Sequence, residues 1–96
     1  MFSIEEICDA LNRFAVARAL PYKADILDGA RQKHISLHNE RSYLDICYND
    51  KGELEVWEPD APMPSYVVAE WDSIPEIAGY LLGIMYRYLH RSSARN

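Results

Sequence analysis

The chain has 96 residues, of which 49% are apolar and 26% charged, and it carries a net charge of −5. That is one domain of ordinary globular composition, with enough apolar side chains to bury a core but little margin to spare. The acidic balance argues against direct nucleic-acid binding, and the longest apolar run, IAGYLLGIMY, falls well short of the roughly 18 residues of a membrane span.

The N-terminal stretch MFSIEE is acidic where a secretory leader would be basic. Ser3 followed three residues on by Glu6 makes a capping box, with Phe2 and Ile7 placed for a hydrophobic staple. A helix is predicted over 4–19, with Ile4, Ile7, Cys8, Leu11, Phe14 and Ala15 as its apolar stripe and Pro21 helping to stop it.

The period then changes to two. YKADIL (22–27), QKHISLHN (32–39), SYLDICYN (42–49) and ELEVWE (53–58) alternate as strands do. A four-residue loop, DGAR, would set Tyr22, Ala24 and Ile26 beside Leu37, Ile35 and Lys33. A two-residue loop at Glu40–Arg41 pairs Leu37 with Leu44, Ile35 with Ile46, His38 with Tyr43, Ser36 with Asp45 and His34 with Cys47. A three-residue loop, Asp50–Lys51–Gly52, with Gly52 left-handed, pairs Tyr48 with Leu54, Ile46 with Val56, Cys47 with Glu55 and Asp45 with Trp57. In these last two hairpins apolar meets apolar on one face, so a slip of one residue would break the match.

The prolines of PDAPMP call for an irregular crossover, and YVVAEW (66–71) reads as a short edge strand or an extended lead. SIPE opens a second helix over 74–91, where Ile77, Ala78, Leu81, Leu82, Ile84, Met85, Tyr88 and Leu89 cover most of the circumference. Two glycines inside that helix, Gly79 and Gly83, predict close packing of another element, either the first helix or a second copy of this one. The fold class is α+β in two layers: a four-stranded antiparallel meander with the N- and C-terminal helices on one face, in the order α-β-β-β-β-α. Its sheet core is Ile35, Leu37, Leu44, Ile46, Tyr48, Leu54 and Val56.

The histidines of HISLHN, His34 and His38, look like half a metal site until the strand is considered. Four residues along a strand is about 13 Å, too far for two ligands of one ion at bond lengths near 2.1 Å. No metal and no cofactor is expected. His34, Cys47 and Glu55 do form one row across three strands, the minimum for an activated thiol with a carboxylate nearby. Against a cysteine enzyme, Cys47 separates Glu55 from His34, and a flat sheet offers neither cleft nor oxyanion donors.

The function expected is therefore non-enzymatic: a small module that binds another protein. Aromatic and charged residues on the outer sheet face, Tyr43, His38, Asp45, Glu53, Glu55 and Trp57, together with Glu58 and Asp60, are the candidate partner-binding residues. Between Asp50 and Glu76 stand eight acids against one base, Lys51. Such a surface suits an inhibitor that occupies a basic, nucleic-acid-binding site on its target, in the manner of anti-defence proteins such as anti-CRISPRs or of immunity proteins. The rival expectation is a homodimeric adaptor or chaperone joined through helix 74–91. Two separated cysteines, with no CxxC, suggest a reduced cytoplasmic setting. The basic tail, Arg87 to Arg95, has three open roles: closing the helix dipole, touching a partner, or fraying.

Overall fold

The computed structural model describes residues 2–29 and 32–94, with side chains through 91. The elements in order are α1 (Ile4–Ala17), β1 (Lys23–Asp28), β2 (Lys33–His38), β3 (Tyr43–Tyr48), β4 (Leu54–Trp57), β5 (Tyr66–Val68) and α2 (Ile74–Ala94). The sheet is an antiparallel meander of five strands, in the order β1-β2-β3-β4-β5. This corrects the expectation of four. The first half of YVVAEW pairs along β4, Val68 with Leu54 and Tyr66 with Val56, because the Pro-rich crossover brings the chain back antiparallel.

The α1 start is the capping box foreseen from Ser3 and Glu6. Glu6 N–H donates to Ser3 Oγ at 3.0 Å, and Ser3 N–H donates to Glu6 Oε1 at 3.2 Å. The helix stops at Ala17, two residues earlier than its stripe suggested. Ala19 adopts a left-handed φ of 53°, Leu20 N–H donates to the Ala15 carbonyl, and Ala19 N–H to that of Val16. This is a Schellman closure with alanine at the position glycine usually takes.

Two hairpins have the registers their side chains imposed. Ile35 faces Ile46 and Leu37 faces Leu44; Ile46 also faces Val56, and Tyr48 faces Leu54. Asn39 builds the first turn, its Oδ1 accepting from the N–H groups of Arg41 and Ser42. Gly52 closes the second at φ 78°. The β1–β2 register differs from expectation by two residues. Ala24 lies opposite Leu37 and Ile26 opposite Ile35, because Gly29 N–H donates to the Gln32 carbonyl and closes the ladder there. A two-residue slip keeps every side chain on its face, so periodicity alone could not distinguish the two registers.

Both helices pack on one face. Ile7 and Leu11 of α1, Ile77, Leu81, Ile84 and Met85 of α2, and Ile35, Leu37, Leu44, Ile46, Leu54 and Val56 of the sheet form a single buried cluster. Truncating any one of these to alanine costs about 2–5 kcal/mol, the usual loss for a large buried aliphatic group. Tyr48, assigned to the core, is only half-buried: it lies at the end of β3, stacks on Trp71 at 6.3 Å, and donates its hydroxyl to the Phe2 carbonyl. Gly79 and Gly83 do not serve close packing among the described residues, since a Cβ built at either meets no other element within 4 Å.

The outer edge of β1 is capped at one residue by a side chain. Asn12 of α1 accepts from Ala24 N–H and donates to the Ala24 carbonyl, both at 2.8 Å, and Cys8 Sγ reaches the same carbonyl. Asn12 thus stands where a neighbouring strand would put its peptide group.

Candidate protein-binding face

The register leaves alternate residues of every strand on the side away from the helices. Asp25, Ser36, Asp45 and Trp57 form one row across β1 to β4, and Cys47, Glu55 and Val67 part of the next. Of the candidates, His38, Tyr43, Asp45, Glu55 and Trp57 stand on strands of this face, and Glu53 at the foot of β4 joins them through hydrogen bonds. Glu58 and Asp60 lie on the β4–β5 crossover, and together with Ala61 they wall one side of a hollow of about 440 Å³ floored by His34, Asp45, Cys47 and Trp57. The crossover residues Glu58, Asp60 and Ala61 border the same shallow hollow as Trp57, which is half-buried.

The carboxylates are held by neighbours. Asn49 Nδ2 donates to Glu53 Oε1 at 2.9 Å and to Glu55 Oε2 at 3.2 Å, while Trp57 Nε1 donates to Glu55 Oε1 at 3.1 Å. Asn49 Oδ1 in turn accepts from the N–H groups of Lys51 and Glu53, so one turn residue fixes both the hairpin and the acids above it. Glu58 accepts from Ser65 Oγ and from Arg91 Nη2, the latter at 2.8 Å. The basic tail thus pins the crossover at Arg91, while Arg95 falls outside the described residues. Asp60 is exposed and takes a left-handed φ of 59°.

The two histidines each meet an aspartate. His38 Nε2 is 2.7 Å from Asp25 Oδ2, and His34 Nε2 is 3.8 Å from Asp45 Oδ1. The carboxylate near His34 is thus Asp45, not Glu55, which stays beside Cys47. Burial pushes the Asp45 carboxyl above its usual range, with His34 opposing. Burial also pushes the Cys47 thiol up, and Glu55 and Asp45 add to it. This is the reverse of an activated nucleophile, which needs a thiolate stabilised by positive charge. Among the described residues no three His, Cys, Asp or Glu side chains are grouped to hold a metal ion.

In comparisons with known proteins, no family model, no curated protein and no solved structure matches the chain. The face has to be read from its own chemistry.

Three contributors escaped the sequence reading. Asp25 stands opposite Ser36 and beside His38, because β1 is shifted by two residues from the register its periodicity suggests. Asn49 gave a signal, an Asn directly before the turn, but its second role on the carboxylates needs the paired strands. Gly29 lets His34 approach: a Cβ there would lie 2.8 Å from the Gln32 carbonyl oxygen and 3.3 Å from His34 Nδ1. Among the described residues no helix is long and apolar enough to cross a membrane, and both cysteines are free thiols.

Proposed function

We propose that the protein is a non-enzymatic binding module that docks the outer face of its sheet onto a basic surface of another protein. In its sharper form it is an inhibitor that occupies a nucleic-acid-binding site. The observation that carries this reading is the face itself: Tyr43 and Trp57 share it with Asp45, Glu53 and Glu55, both described helices pack on the opposite side, and Asp60 stands at the rim. Aromatic anchors supply contact area at low entropic cost, and the carboxylates supply complementarity to a cationic partner. Because Asn49 and Trp57 already orient Glu53 and Glu55, docking would immobilise few further side chains.

The test is site-specific photo-crosslinking in lysate of the native host, with the reactive group placed at Tyr43 or, as a control on the helix side, at Val16. Capture of one basic protein from position 43 alone, weakened by salt, competed by heparin and lost in Asp45→Lys, is the expected result. Equal capture from position 16, or capture indifferent to salt and to Asp45→Lys, overturns it.

A further inference from the structure

We infer that the outward side of α2 is a self-association surface, which takes a second copy of this chain in an antiparallel, two-fold arrangement. The inward side of α2 is occupied by Ile77, Ala78, Leu81, Leu82, Ile84 and Met85, all buried. Outward stand Glu76, Tyr80, Gly83, Arg87 and His90, all exposed. Their spacing alternates four and three, the 3.5-residue period that keeps a seam facing a partner helix. The seam runs for about 21 Å at 1.5 Å per residue.

Three observations choose the occupant. Gly79 and Gly83 each cost about 1 kcal/mol in a helix relative to alanine, yet among the described residues no other element lies within 4 Å of where their Cβ atoms would be. The charges along the seam are ordered, with Glu76 in the first turn of α2 and Arg87 near the other end. An antiparallel copy therefore sets Glu76 against the partner copy's Arg87, twice by symmetry. Residues 76 and 87 share their midpoint with 80 and 83, so the same register seats Tyr80, 45% exposed, over the partner copy's Gly83. Finally, Glu70, Trp71, Glu76, Ile77 and Tyr80 line a hollow of about 400 Å³ at the acidic end of the seam. Two carboxylates and two aromatic faces are what a guanidinium seeks, and this register delivers Arg87 to them. The surface lies on the helix layer, away from the outer sheet face, so the inference stands apart from the proposed function.

Sedimentation equilibrium of the full chain over a wide concentration range tests it. The expected mass rises from that of one chain toward that of two. Glu76→Lys and Arg87→Glu each place like charges in both contacts and should be monomeric. Mixed in equal amounts they should dimerise, because the mixed pair has opposite charges at both contacts. Gly83→Leu fills the seat of Tyr80 and should be monomeric, with circular dichroism and thermal melting showing a fold at least as stable. A single-chain mass for the wild type at every concentration overturns the inference. So does a dimer that survives Gly83→Leu and both charge reversals, or folded charge variants whose mixture stays monomeric.

Discussion

Cys47 shows how a row of residues can resemble chemistry without its electrostatics. Burial raises its thiol first, the carboxylates of Glu55 and Asp45 add to it, and the Trp57 indole offsets only part of this. At neutral pH Cys47 should react with iodoacetamide more slowly than a cysteine in an unstructured peptide, and accelerate only as pH rises above the ordinary thiol range. Cys8, buried and close to Asp25, Asp9 and Glu5, should label only on unfolding. Alkylation of Cys47 at neutral pH faster than the peptide would reveal a stabilised thiolate and restore the case for a catalytic thiol. Asp45 makes a second prediction. A carboxyl whose folded pKa lies above its unfolded value favours folding below the unfolded value, and that contribution is lost as pH rises through the folded pKa. At neutral pH the charged Asp45 is therefore a burden. Asp45→Asn should raise stability there, and the gain should shrink as pH falls through the carboxylate range. Urea unfolding of both proteins at neutral pH and at about pH 3 measures it; a gain that persists unchanged in acid refutes the assignment.

Among the elements, β1 depends most on help from outside the sheet. Its free edge would present unpaired peptide groups, and Asn12 covers those of Ala24. Asn12→Ala removes both hydrogen bonds where water has partial access, so a loss of about 1–3 kcal/mol is expected in denaturant unfolding. The exchange rate of the Ala24 amide should rise with it, while amides of β3 are protected as before. Equal acceleration throughout the sheet would mean that Asn12 supports the whole fold rather than this edge. The start of α1 and the two central turns follow from residues that act locally: Ser3 with Glu6, Asn39, and Gly52. The early stop of α1 does not, because nothing local marks Ala19 for a left-handed conformation.

At the scale of the molecule, most of the architecture was legible because most of it is local. A meander pairs neighbours, and apolar matching fixed two of its hairpins to the residue. β5 was harder to read, since three residues behind a Pro-rich crossover carry no period worth the name. The β1 register needed a turn whose choice leaves the pattern unchanged. The outer face was legible as a set of residues but not as a shape, since the hold of Arg91 on Glu58 joins positions 33 residues apart. The packing of α1 against α2 has a consequence for the chain during its synthesis. Strand pairs and the Asn12 clamp involve segments that emerge from the ribosome close together, but Ile77, Leu81, Ile84 and Met85 come last. Until then Ile7, Leu11 and the inner side of the sheet lack the helix that completes their cover. The nascent domain must wait for α2 before its core can close, and a message cut short ahead of residue 74 yields a substrate for proteolysis rather than a weaker version of the protein.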